Sequence, residues 1–551
     1  MTRGKRTASG ALSVALAGAL ALTACSPPPA ADGSGSSTAT AGGGGGGSST
    51  TALTIWLQQK PDTASPLLGG TAGNGQIITP VLDQLVNIAA DGKLEPRTAT
   101  KWDLSSDAKT LTLTLADQKW SDGKPFTADD VLFTMNLYVN PAVKSPIATV
   151  LKPIAGWDEV QSGAAKEMSG VTKVDDRTVK IALKTPDVGF MYTLFGATIY
   201  ILQKDTIGKE DPATVASSPI WVTPGKVPGL GPFTLTAYSA GQRAEFTRNP
   251  NFRTPVKFEK LNEVLVTQDV ATQQLSSGEI DLTLVTATDV KTVEGMQGVK
   301  TASNEVPGFD RYTVNQRREY LKNPKVRQGL LTAIDRAGII ASVYAGAAKP
   351  INTSFTSPKV SKDGFNTYAY DPQKAKQLLT EGGWDFNQEF VIREVNNNAQ
   401  RAAVDQVVLK NLQDVGVKAS IKPVDQAQLT DMLTKGDYDA LLYGGGIYVA
   451  DPETNIPMIT CANAYPKGAN LPNYCNPQVD SLLAQASTTI DEKQRNAILT
   501  EAGKLENADV SHLWIAQPTR VYAFSPKITG GVRGGDGMAA ALMSAQDWTV
   551  K

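Results

Sequence analysis

His512 is the single histidine in 551 residues, and the apolar Leu513 and Trp514 stand beside it. A histidine-dependent triad or a zinc site would have to pass through this one residue, whose surroundings suit a packed core or hinge position instead. No Gly-x-Ser-x-Gly elbow, Walker sequence or EF-hand loop occurs. Two carboxylates could serve as general acid and base, and 54 acidic residues leave that hydrolase chemistry open. Binding chemistry has a clearer substrate. Gly444, Gly445 and Gly446 form a backbone that a ligand can approach closely, and the adjacent Tyr443 and Tyr448 can stack on a ring or sugar. A surface loop is the other reading of the same residues. Nothing here calls for a cofactor or a bound metal.

The chain opens with Arg3, Lys5 and Arg6, then the apolar run Ala11 to Leu22 and the tetrapeptide Leu22-Thr23-Ala24-Cys25. The run falls short of the roughly 20 residues a helix needs to cross a bilayer core, so residues 1–24 read as a secretory leader. The tetrapeptide resembles the bacterial lipobox, which makes Cys25 the expected lipid attachment site. Acyl chains contribute about 0.8 kcal/mol per buried methylene, so a multiply acylated cysteine can hold a soluble body at a membrane. Residues 25–50 contain Pro27, Pro28, Pro29 and the run Gly42 to Gly47 and lack the apolar residues needed to fold, so they read as a flexible tether. An exported chain meets oxidising conditions, where Cys461 and Cys475 are expected to pair; two free thiols are the alternative. The formal net charge is −1 and becomes −4 without the leader's three cations, which gives a nucleic-acid partner no electrostatic support.

Behind these residues must stand more than one core, because 551 residues exceed what a single core organises. Leu53 to Leu57 alternates like a strand. Leu111, Leu113 and Leu115 recur at period two, as do Val179, Ile181 and Leu183, and both runs read as half-buried strands. Between them, Asp122-Gly123 makes a turn and Thr127 with Asp130 a capping-box start to a helix carrying Val131, Leu132 and Met135. From about Pro307 to Asp509 helices alternate with strands, an α/β pattern. Helices are expected from Pro324, from Asp371-Pro372 to Gly382-Gly383, from Gln400 to Val415 and from Leu429 to Lys435, with strands at Val417 to Ile421 and Tyr438 to Tyr443.

Several of these segments carry a resemblance. Val81-Leu82-Asp83-Gln84-Leu85-Val86, Asp91-Gly92-Lys93-Leu94-Glu95-Pro96, Trp102 and the stretch Lys119 to Tyr138 resemble the signature of the peptide and nickel class of bacterial extracellular solute-binding proteins, family 5, which serve ATP-driven importers. Gly229-Leu230-Gly231-Pro232-Phe233, Ser277-Gly278-Glu279-Ile280-Asp281, Val314-Asn315, Val326-Arg327-Gln328 and Ala333-Ile334-Asp335-Arg336 follow in the family's order, so the likeness spans about residues 53–525.

The resemblance implies an α/β, two-lobe periplasmic-binding-protein-like fold (type II, cluster C) with an extra α+β domain. Lobe I would comprise 51–79, 216–306 and 512–551, the extra domain 80–215, and lobe II 307–511, with hinges near Pro307-Gly308 and Pro518. It implies a lipid-anchored, extracytoplasmic subunit that captures peptides by lobe closure without chemical change. Its partners would be ABC permease and ATPase subunits and the membrane through its anchor, and it would act as a monomer. Arg401 lies where some relatives pair an arginine with the peptide carboxylate, a task suited to guanidinium. Relatives that bind a free amine carry an aspartate three residues before an Asp-Pro pair. Here Asp451-Pro452 is present but Tyr448 occupies the earlier place, leaving Asp451 or a shifted loop to supply the countercharge. Oligosaccharides, opines and metal chelates are the alternative solutes, and a surface sensor or hydrolase the alternative classes.

Overall fold

The computed structural model describes residues 51–550 apart from 62, 70–71, 90–91, 306–307, 396–398, 426–427, 447–455 and 534–536. Its first strand, β1 (Ala52–Leu57), buries Leu53, Ile55, Trp56 and Leu57. Leu53, Ile55 and Leu57 share one face, and the strand lies inside the sheet, paired in parallel with one neighbour along its full length and with another at Ile55.

A four-stranded antiparallel sheet comes next in the chain: β2 (Ala99–Leu104), β3 (Thr110–Leu115), β4 (Val171–Asp175) and β5 (Thr178–Ala182), in spatial order 2-3-5-4. Strand β3 buries Leu111, Leu113 and Leu115 alternately, as its period predicts. Helix α1 (Ala128–Val139) packs against β4 and β5 and starts at Thr127, whose backbone N donates to the Asp130 carboxylate at 3.0 Å. That carboxylate also accepts from Trp120 Nε1 at 3.2 Å and from the Lys204 backbone at 2.9 Å, so the capping residue ties three segments together.

The large sheet is built from β6 (Phe233–Ser239), β7 (Arg243–Arg248), β8 (Lys260–Leu265), β9 (Leu282–Val285), β10 (Lys300–Glu305), β11 (Gly308–Val314), β12 (Ala348–Pro350), β13 (Glu389–Val395), β14 (Lys418–Val424), β15 (Ala440–Gly446) and β16 (Leu513–Phe524). With β1 they form one 12-stranded mixed sheet in the order 14-13-15-11-16-9-1-8-7-6, with β10 and β12 also paired to β16. Strand β16 belongs to both halves. Its residues 513–518 pair with β11 and β12, and its residues 519–524 pair with β10 and β9. The change of partners falls at Pro518, a residue with no N–H to donate to a ladder.

Helices α2 (Gln268–Ser277), α3 (Pro324–Thr332), α4 (Pro372–Glu381), α5 (Ala399–Asp414), α6 (Leu429–Lys435), α7 (Pro477–Thr488) and α8 (Glu492–Asp509) complete the frame. Their ends follow local chemistry: Gly278 stops α2 with a φ of 79°, and Asn323 and Asp371 cap α3 and α4 with Pro in the first turn. Separate apolar cores serve the two halves. One runs from Leu53 through the small sheet to Trp548, and another centres on Tyr312, Leu330, Val408 and Ile515. The small sheet's segment is joined to the first half by an ion triad. Asp83 is fully buried and holds Arg97 Nε at 2.6 Å and the guanidinium of Arg253. Burial alone would raise the Asp83 carboxyl, but Arg253 and Arg97 outweigh it and hold it below the usual carboxylate range.

Candidate binding site

Strands β11 and β15 run antiparallel with Phe309 opposite Gly445, Asp310 opposite Gly444 and Arg311 opposite Tyr443. Successive side chains of a strand point to opposite faces, so Asp310 and Tyr312 serve one face and Phe309 and Arg311 the other. All seven residues of β11 are buried, although two are charged.

On the first face, helix α5 brings Arg401 to Asp310, with Nη2 3.5 Å from Oδ1. Gly444 makes this contact possible, because a Cβ at that position would lie 2.0 Å from Arg401 Nη2 and 2.1 Å from Asp310 Oδ1. The second Asp310 oxygen accepts from the Tyr344 hydroxyl at 2.7 Å. One helical turn beyond Arg401, Asp405 accepts from the Tyr312 hydroxyl. Burial pushes the Asp405 carboxyl up to about 7 against the lowering effect of that hydrogen bond. Arg401 is half-buried while Asp310, Asp405 and Tyr344 are buried, so the arginine is the solvent-facing member of the cluster.

On the second face, Phe309 meets Trp514 edge-on at 4.9 Å, and the Arg311 guanidinium lies 5.0 Å from the Phe309 ring and 5.9 Å from that of Tyr443. His512 packs 4.8 Å from Trp514, and burial and the Arg311 charge hold its imidazole well below the usual range. Ser511 Oγ contacts His512 Nδ1 at 3.0 Å and donates to Glu506. Ser511, His512 and Glu506 have the residue types of a triad, but all three are buried, and Glu506 also accepts from Thr353 Oγ1 at 2.5 Å and from Trp514 Nε1 at 3.2 Å. These contacts make a structural polar knot, because a nucleophile must be reachable.

Of the residues singled out from sequence, Arg401, Tyr443, Gly444 and Gly445 therefore come together at the ends of β11 and β15. Tyr448, Asp451 and Cys25 lie outside the described residues. Cys461 and Cys475 are joined by a disulfide with a Cα–Cα distance of 4.5 Å. It lies just past Met458 and Ile459, which pack in one cluster with Phe309 and Trp514. Sequence reasoning missed Asp310, Arg311, Tyr344 and Asp405. The adjacent charges Asp310-Arg311 inside an otherwise strand-like run were the available signal.

Charged groups gather at the strand ends, and the nucleophile-like residues are sealed in a core. The chain belongs to the bacterial extracellular solute-binding proteins, family 5, whose model matches residues 93–466. It is similar to a protein of Brucella ovis named as an ABC transporter peptide-binding protein, with 30% identity over 446 residues, covering 79% of this chain and 80% of that one. It is also 25% identical over 465 residues to heme-binding protein A of Haemophilus influenzae, covering 80% and 82% of the two chains. Among solved structures, the ABC transporter substrate-binding protein CtaP of Listeria monocytogenes superposes with a TM-score of 0.78 at 25% identity, over 91% of this chain and 99% of that one. The protein is accordingly a substrate-binding protein of an ABC transporter, not an enzyme. No described helix is long and apolar enough to cross a membrane.

Proposed function

We propose that this protein is the lipid-anchored subunit of an importer that captures peptides between two closing lobes and hands them over unchanged. The observation that carries the reading is the Arg401–Asp310 pair over Gly444. A 3.5 Å contact is long for an ion pair, and a peptide carboxylate can displace Asp310 and take the guanidinium with two parallel hydrogen bonds. Asp451, or a shift of its loop, supplies the countercharge for the peptide amine, and the rings of Tyr443 and Tyr448 line the cleft.

The lobes are 51–79 with 216–306 and 512–551, and 307–511, with 80–215 as the added domain. Support comes from β16, whose partners change at Pro518, and from the passage from β10 to β11 between 305 and 308. Two strand crossings of this kind are places where a small backbone rotation closes one lobe on the other. Solute stabilises the closed form by its differential affinity, and the permease reads that form. Cys25, once acylated, keeps the monomeric protein at the outer face of the membrane.

Native mass spectrometry of freshly purified protein followed by a thermal-shift panel tests this reading. A peptide at 100 times its Kd should add about 2.7 kcal/mol of stability. Shifts with oligosaccharides or metal chelates and none with peptides would replace the solute class. Cys25→Ala should release the protein from cells into the medium, and retention would remove the anchor.

A further inference from the structure

Arg311 is only 6% exposed, yet among the described residues no carboxylate pairs with it. Its Nε has no hydrogen-bond partner, Nη1 reaches the Tyr443 carbonyl at 3.5 Å, and Nη2 meets only the Met458 sulfur at 3.9 Å. Burial lowers its pKa to about 10, so the side chain still carries its charge at neutral pH. A buried guanidinium with no paired carboxylate among the described residues is strongly unfavourable, and two neighbouring rings and the charge of Asp310 return only part of what desolvation removes. Fold stability does not explain its presence.

Its surroundings point toward solvent on one side. Phe309, Met458 and His512 are buried, whereas Tyr443 is 36% exposed, so among these neighbours it is Tyr443 that reaches solvent. Two residues beyond Tyr443 on the same strand face stands Gly445, opposite Phe309, where there is no side chain to add cover. Asp310 is adjacent in sequence but faces the other side of β11, where Tyr344 and Arg401 occupy it.

We infer that Arg311 is a second anion site, taking an acidic side chain of the bound peptide while Arg401 takes the terminal carboxylate. The inference rests on the peptide-capture reading above. The two cations sit on opposite faces of one strand, so a ligand crossing the ends of β11 and β15 can meet both with different groups. Tyr443 is the movable cover, and the solute class is an acidic peptide.

The test uses the tripeptides Ala-Glu-Ala and Ala-Gln-Ala, each with a free and an amidated C-terminus, in titration calorimetry with the wild-type protein, Arg311→Met and Arg401→Gln. Wild type should prefer Glu over Gln by about 10- to 100-fold, as expected for a hydrogen bond to a charged group. Arg311→Met should erase that preference, keep the preference for a free terminus, and raise the melting temperature of the unliganded protein. Arg401→Gln should do the reverse for ligand preference. Arg311→Lys, which keeps the charge and loses the planar fork, gives an intermediate preference and serves if the methionine variant does not fold. Equal loss of both ligands in Arg311→Met, or an unaltered Glu preference, overturns the inference alone. Exchange of the two roles overturns the division between the arginines. A wild-type protein that binds none of the four peptides removes the peptide reading and this inference together.

Discussion

Gly444 occupies a place on β15 from which a side chain would drive Arg401 off Asp310. A Cβ there would stand 2.0 Å from the arginine nitrogen and 2.1 Å from the carboxylate oxygen, well inside any permitted contact. The absence of a side chain at 444 is thus what lets helix α5 deliver its charge to the strand end. Gly444→Ala should weaken binding of peptides with a free carboxylate by about tenfold or more, equivalent to ~1.4 kcal/mol. The same substitution should leave binding of amidated peptides nearly unchanged. Calorimetry on the two peptide forms checks it, and equal affinities for wild type and variant would show that Arg401 does not need that space.

Asp83 is fully buried and holds the buried Arg97 and the partly exposed Arg253, so removing its charge leaves both cations without their carboxylate. Asp83→Asn should cost about 3–5 kcal/mol in urea unfolding. Because the folded carboxyl sits below its usual range, its contribution is present above an unfolded pKa of about 3.9 and disappears as pH falls through the folded value. The deficit of the variant should therefore shrink at strongly acid pH.

Glu263 lies in β8 between Ile55 and Ala244, fully buried, with no hydrogen-bond partner for either carboxyl oxygen among the described residues. Burial pushes its carboxyl well above the usual range, so the native state keeps a proton that the unfolded chain releases. Stability is then greatest below the unfolded pKa and falls as pH rises. Glu263→Met should stabilise the protein by roughly 1–3 kcal/mol near neutral pH, and by more as pH rises. Denaturant midpoints at two pH values measure it, and a loss of stability would point to a polar role for the carboxyl.

Asp405, with its carboxyl raised to about 7, follows the same sign. Its stabilising contribution is full below an unfolded pKa of about 3.9 and is lost as pH climbs to about 7, by at most about 1.4 kcal/mol per unit. Asp405→Asn should flatten the stability profile between pH 5 and pH 7. Buried His512 opposes this trend only below its unfolded pKa of about 6.5, where the unfolded chain gains a proton that the folded imidazole refuses. The comparison with wild type isolates Asp405.

The Cys461–Cys475 bridge spans 14 residues and lies beside the cluster that supports Phe309 and Trp514. Removing both thiols should lower stability by about 3 kcal/mol, the chain-entropy value for a loop of that size. Differential scanning calorimetry of the Cys461→Ser, Cys475→Ser double variant reads the loss directly.

Local order was legible in the residues themselves. The period-two leucines of Thr110–Leu115, the cap at Thr127 and Asp130, and the Gly278 stop all act through neighbours a few positions away, and all appear where the sequence puts them. Family membership was legible for the same reason, because its motifs are local and kept in order. Strand pairing was less so: β1 alternates like a strand, but the neighbours it pairs with lie more than 200 residues away. The site lay further out of reach. Asp310 meets Arg401 across 91 residues and Tyr344 across 34, and Arg311 has no paired carboxylate among the described residues because β11 turns Asp310 to its other face. Residue type set what each group could bind, whereas strand register and the approach of α5 decided which charges were paired and which remained unpaired, since electrostatic contacts depend on distance in space and not on separation along the chain.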